Sequence, residues 1–199
     1  MNDQKKVDKR RRNLVVATSV VGGAAGVGAA VPFVASMLPS ERAKAAGAPV
    51  EVDVSRLAPG ELAVIEWRGK PVWVIRRTNE MLASLKTVTN RLADPGSRAS
   101  EQPEYAKNEH RSAKPEIMVM EGVCTHLGCS PQLKPAEAKG EMGADWTGGF
   151  YCTCHGSKFD LAGRVFRGAP APTNLAIPPY TFLSDSRLLI GEDKEKKGA

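Results

Sequence analysis

The sequence predicts a mainly β head carried on one N-terminal transmembrane helix. Three observations point there: a run of 25 uncharged residues from Leu14 to Leu38, short alternating apolar runs between Val50 and Ile190, and two Cys/His clusters that each follow a strand-like run. At 199 residues, with 42% hydrophobic and 25% charged side chains, the chain can build one globular core plus extensions. Its net charge of +6 is uneven, because residues 1–12 alone hold Lys5, Lys6, Lys9, Arg10, Arg11 and Arg12 against Asp3 and Asp8. The rest is close to neutral and makes no basic stripe, which excludes nucleic acid as a partner.

Residues 1–13 form a basic N-terminal segment and residues 14–38 the anchor. A helix of that length is roughly 37 Å long, enough to cross a hydrocarbon core of about 30 Å and meet membrane lipid along its sides. Lys and Arg stay on the cytoplasmic side, so the N-terminus is expected inside and everything after residue 40 outside. A cleavable signal peptide is the competing reading, since Ala43-Lys44-Ala45 and Ala46-Gly47-Ala48 look like peptidase sites. Secretory apolar regions are about 7 to 15 residues, which favours a retained anchor. A buried core helix fits neither the length nor the one-sided charge. Gly22 and Gly26 make a GxxxG spacing open to another helix. Arg11-Arg12-Asn13-Leu14-Val15 resembles a twin-arginine export signal, although the usual Ser or Thr before the pair and the later Lys are absent.

Residues 39–49, PSERAKAAGAP, are polar, Ala-rich and bounded by prolines, and read as a flexible hinge. The head, residues 50–191, is expected to begin with strands at Val50–Val54 and Leu62–Trp67, with a hairpin at Arg68-Gly69-Lys70 leading into Pro71–Ile75. Asn79 is placed to cap a short helix through Lys86. Arg91–Pro115 is polar, is broken by Pro95 and Gly96, and reads as a long excursion; His110 stands alone in it as an ordinary solvated residue. Strand character returns at Ile117–Met120, Phe150-Tyr151, Lys158–Phe166 and Arg187–Ile190. Residues 192–199 read as a frayed tail.

All four cysteines and two of the three histidines fall in Cys124-Thr125-His126-Leu127-Gly128-Cys129 and Cys152-Thr153-Cys154-His155-Gly156-Ser157. A CxH followed at a distance by a CxxH closes a four-ligand site in one of two ways: as structural Cys2His2 zinc, or as an iron-sulfur centre in which two His replace two Cys on one iron. A compact zinc site has no use for Cys129 and Cys154. Gly128 and Gly156 permit tight loops whose backbone N–H groups turn toward sulfur.

The motif pair CTHLGC with CTCHGS resembles the Rieske family, specifically the iron-sulfur subunit of the cytochrome bc1 complex (ubiquinol:cytochrome c oxidoreductase) in its proteobacterial form. The likeness covers nearly the whole chain: basic N-terminus, anchor, hinge, both loops, and Ala169-Pro170-Ala171-Pro172 leading to Asn174-Leu175. It implies a Rieske-type antiparallel β-sandwich with a small cluster-binding subdomain at about residues 122–174, holding a [2Fe-2S] cluster. By the same resemblance, Cys124 and Cys152 ligate one iron, His126 and His155 the other, and Cys129 pairs with Cys154 in a disulfide. Ser157 matches a serine that hydrogen-bonds a bridging sulfide, Ala169 to Pro172 a proline loop over the cluster, and Leu127 with Gly128 the quinol-docking tip. Two positions depart from the pattern. Thr153 stands where many members have proline, and Phe159 where many have a tyrosine donating to cysteine sulfur. Loss of that donor disfavours the reduced, more negative state, so a lowered potential is expected.

The resemblance further implies an electron-transfer component that is inactive alone as an enzyme. His155 would hydrogen-bond quinol, expected to be ubiquinol, at cytochrome b and take its proton. The head would then swing to cytochrome c1 within a dimeric complex of the bacterial inner membrane. A disulfide suits the periplasmic side. Rieske ferredoxins and ring-hydroxylating oxygenases share the ligand spacing but usually lack the disulfide pair and the anchor. The alternative reading is the small subunit of another periplasmic oxidoreductase such as arsenite oxidase.

Overall fold

A computed structural model describes residues 8–193, with the side chains of residues 41, 42 and 46 left aside. The expected basic residues Lys5 and Lys6 and most of the expected tail, residues 194–199, lie outside this range. The chain divides into two units near residue 45, each considered by itself.

The first unit is helix α1, Lys9–Ser36. Asp8 caps it, its carboxylate accepting from the backbone N–H of Arg10 (2.9 Å) and Arg11 (3.3 Å). Four cations in the opening turn oppose the helix dipole, so helix stability does not explain them; a basic flank to a membrane span does. No residue of α1 is buried, and two of its hydroxyls turn onto the helix backbone: Thr18 donates to the Leu14 carbonyl and Ser36 to that of Phe33. Such self-satisfaction suits an apolar surrounding, where a free hydroxyl would be costly. Within the linker, Glu41–Ala46 forms a short helix, α2. Its Ala-rich composition favours helix, and the Ser40 hydroxyl accepts from the Ala43 N–H.

The second unit is mainly β, as expected, and its described residues form three antiparallel three-stranded sheets. One has order β1-β9-β8, built from Val50–Asp53, Arg187–Ile190 and Tyr180–Phe182. The next, β2-β3-β4, uses Leu62–Trp67, Lys70–Arg76 and Ile117–Glu121. In the third, β5-β6-β7, Gln132–Lys134, Gly149–Cys152 and Ser157–Phe159 pair. The first two sheets close over one core that includes Val52, Leu188 and Tyr180 from one and Val72, Val74 and Val119 from the other. Strand β3 is central, so it is buried on both faces and reads as an unbroken apolar run; β2, at the edge, alternates. The predicted hairpin between them is present, turning at Arg68-Gly69 with Trp67 paired to Lys70.

Two readings need correction and two need completing. Helix α3 spans Asn79–Thr87, but its cap is Thr78, whose hydroxyl accepts from the Met81 N–H. The run Lys158–Phe166 is not one strand: β7 ends at Phe159, and Asp160 turns the chain by accepting from the N–H of Ala162 and Arg164. Strands β5 and β8 escape the sequence pattern, being three residues each, β5 between prolines and β8 after two of them, so only their cross-strand partners reveal them. Finally, residues 91–115 do form a long excursion, but one pinned to the core. Arg77 donates to the carbonyls of His110 (2.9 Å) and Pro115 (2.9 Å) and to the Ser112 hydroxyl (2.8 Å), and the Tyr105 hydroxyl bonds the backbone of Tyr180. Helix α4, Lys139–Met142, and short 3-10 turns at Thr89–Arg91 and Glu104–Ala106 complete the elements among the described residues.

Candidate metal centre

The two Cys/His segments form neighbouring loops at one end of the β5-β6-β7 sheet. The second is the connection between β6 and β7, closed by the pairing of Cys152 with Ser157. The first follows β4 and closes on itself through the Cys124 N–H donating to the Cys129 carbonyl at 2.7 Å. Both use the same turn. Gly128 N–H donates to the Cys124 carbonyl (3.0 Å), and Gly156 N–H to that of Cys152 (2.9 Å). Each glycine is left-handed, with φ of +83° and +79°, a conformation that other residues rarely adopt.

The turns bring the predicted ligands together in two pairs, one of imidazoles and one of thiols. The rings of His126 and His155 lie 4.7 Å apart, nearly perpendicular. Cys124 and Cys152 are free thiols, each only 2% exposed, and close enough to hydrogen-bond one another. Burial pushes the Cys124 thiol up in pKa and Cys152 adds to this, while the His126 backbone N–H and the Ser157 hydroxyl act in the opposite sense. Cys129 and Cys154 are joined in a disulfide with Cα atoms 6.7 Å apart, linking the tips of the two loops. The sulfurs of Cys129, Cys152 and Cys154 also lie within 4.8 Å of one another, but a disulfide leaves two of them without thiolate character.

Exposure rises across the site. The thiols lie at its floor, His126 is half-buried, and His155 and Gly128 are exposed with Leu127, 70% exposed, beside them. The Nδ1 atom of His126 is buried and has no hydrogen-bond partner. An enclosed imidazole nitrogen without a partner fits a metal bound there, since such a nitrogen is otherwise a penalty. The donor set, two soft thiolates and two imidazoles, is that of a Rieske cluster or of zinc.

The rest of the predicted site closes around these donors. Ser157 is fully buried, and its oxygen accepts from the Ala171 N–H at 3.0 Å. Its own proton is thereby free to point at sulfur. Ala169, Pro170, Ala171 and Pro172 thus meet the second loop, while the Thr125 hydroxyl, in the first, donates to the Thr173 carbonyl at 2.7 Å. Phe159 is fully buried on β7 opposite Phe150, which stacks on Trp73 at 4.8 Å. Thr153 is exposed. His110 is not part of the site. Sequence reasoning missed Thr125 and Asn174 as fasteners; Thr125 sits between two ligands, but nothing in the sequence says which carbonyl it meets.

The family model described as "Rieske [2Fe-2S] domain" matches residues 99–180, and one described as "Ubiquitinol-cytochrome C reductase Fe-S subunit TAT signal" matches residues 1–40. A "Ubiquinol-cytochrome c reductase iron-sulfur subunit" from Allochromatium vinosum is 58% identical over 93% of this chain and 89% of its own length. One from Blastochloris viridis is 41% identical over 92% of each. A solved structure titled "Hyperthermophilic respiratory Complex III" is 28% identical, covering 87% of this chain and 98% of that one with a TM-score of 0.47. The two family models and the two reductase subunits set aside the zinc and arsenite-oxidase readings. The chain therefore carries a Rieske [2Fe-2S] domain and belongs to the family of ubiquinol-cytochrome c reductase iron-sulfur subunits, membrane-anchored components of the bacterial bc1 complex.

Proposed function

We propose that Cys124 and Cys152 hold one iron of the cluster and His126 and His155 the other, and that His155 is the group that meets quinol. When bound, the cluster supplies a one-electron acceptor; the chain supplies the rest. The buried thiols exclude water from the sulfur side, where Ser157 donates a hydrogen bond that favours the reduced state. His126, with its enclosed Nδ1, serves as a holding ligand. His155 is exposed, so its outer nitrogen can accept a hydrogen bond from a quinol hydroxyl and keep the proton as the electron passes. Leu127 and Gly128 offer an apolar docking surface beside it. Exposure of His155 above two buried thiols is the observation that carries this reading.

The partners in this reading are cytochrome b, where ubiquinol is oxidised, and cytochrome c1, within a dimeric complex. Residues 1–13 lie in the cytoplasm, 14–38 cross the inner membrane among lipid, and 39–49 act as the hinge. Residues 50–191 form the periplasmic head, with the cluster part at about 122–174, and residues 192–199 the tail. The disulfide accords with that oxidising side. Electron paramagnetic resonance of the reduced protein, together with co-purification of b-type and c-type haems, tests the proposal. A Rieske-type signal accompanied by both haems is expected; a silent spectrum or isolation without haem would count against it.

A further inference from the structure

The proline loop is poorly equipped to hold itself in place. Pro170 and Pro172 have no N–H, so between residues 169 and 173 only three amides can donate. One of them, Ala171 N–H, fixes the oxygen of Ser157. Whatever positions the loop therefore also aims the Ser157 hydroxyl at sulfur.

Two braces reach the end of this loop from residues 91–115, the segment for which the sequence offers no role. Asn174 is buried; its carbonyl oxygen accepts from the Val165 N–H (2.8 Å), and its amide donates to the Asp94 carbonyl (3.0 Å) and the Ser97 hydroxyl (2.8 Å). Next to it, the Leu175 carbonyl accepts from Arg111 at 2.7 Å. Arg111 has no exposed surface, and its guanidinium also donates to the Ala162 carbonyl (3.0 Å) and to the Gln102 side-chain oxygen (2.9 Å). Among the described residues no carboxylate touches it. Burial lowers its pKa to about 10, with Asp160 and Asp94 acting in the opposite sense. A buried cation held by neutral oxygens is expensive to keep, and a core needing only packing would not require it. Its planar fork is suited to joining three chain segments at once.

We propose that Arg111, with the Asn174 and Ser97 pair as second brace, is a positioning residue for the cluster: it fixes the proline loop from outside and, through Ala171, the hydroxyl of Ser157. This rests on the Rieske reading of the site and extends it to a segment remote from the ligands.

The test uses the full-length protein with Arg111→Lys, which keeps the cation but loses the fork, and Ser97→Ala, which removes one acceptor from Asn174. Hydrogen exchange of residues 169–175 should quicken about tenfold in each, as expected for losing a buried hydrogen bond, with exchange of Val72–Ile75 unchanged. The midpoint potential should fall as Ser157 loses its fixed orientation. Wild-type exchange in the loop with a wild-type midpoint overturns the proposal, as does exchange that rises equally in Val72–Ile75, the mark of general loosening. If Arg111→Lys does not fold, Ser97→Ala decides by the same criteria. Absence of the iron signal from the wild-type protein is a separate result, which defeats the cluster reading itself.

Discussion

The two cluster loops are built on one turn and differ in a single offset. In each, a glycine N–H four residues on returns to the carbonyl of a buried cysteine, but the histidine stands two residues after Cys124 and three after Cys152. That shift carries His126 inward, where its Nδ1 is enclosed, and leaves His155 in solvent. The same scaffold therefore gives one imidazole suited to holding and one suited to exchanging a proton. A second asymmetry lies beneath: the Ser157 end of the second loop bonds Ala171 of the proline loop, while the first reaches that loop's Thr173 through Thr125.

The disulfide makes these unlike loops act as a unit, and breaking it is the largest perturbation of the comparison. Cys129→Ser should destabilise the head by roughly 2–5 kcal/mol. It should also speed loss of the cluster's visible absorbance on warming; wild-type thermal stability and retention would mean that the loops hold their register unaided.

Replacing the turn glycines sharpens the likeness. A Cβ at Gly128 meets nothing within 4 Å, and at Gly156 only the Tyr151 hydroxyl at 3.9 Å, so the penalty at both is backbone strain. Gly128→Ala and Gly156→Ala should each cost about 1–2 kcal/mol, and by similar amounts. Denaturant unfolding reads this directly, and a large inequality would show that the turns are not equivalent.

The smallest effect concerns the second loop's strand. Phe159 is buried on β7, two residues beyond Ser157. Phe159→Tyr should add a donor to cysteine sulfur and raise the midpoint by on the order of 40 mV, the one-electron equivalent of roughly 1 kcal/mol. An unchanged or lower value in redox titration would mean that the added hydroxyl bonds elsewhere.

The features that were legible in sequence are those written in local pattern. The anchor announces itself by an uncharged run with basic residues on one side, and β9 matches Arg187–Ile190 residue for residue. The candidate ligands stand out because thiols and imidazoles at fixed spacing have few other uses. What stayed hidden depends on distant partners. Strand β5 is three residues between prolines and exists only by pairing with β6. Lys158–Phe166 looks like one strand because its polar turn residue, Asp160, is buried with Arg164 at 2.7 Å. Arg111, in a polar stretch broken by Pro and Gly, looks like solvent-facing charge, and only the fold shows the carbonyls it collects.

The central claim, that each loop contributes one thiolate and one imidazole to a single cluster, is tested most directly by pulsed electron paramagnetic resonance on the reduced full-length protein with isotopically labelled histidine. Two histidine nitrogens strongly coupled to the iron spin are predicted, with both couplings absent from unlabelled-nitrogen positions elsewhere in the chain. One such nitrogen, or none, would contradict the account.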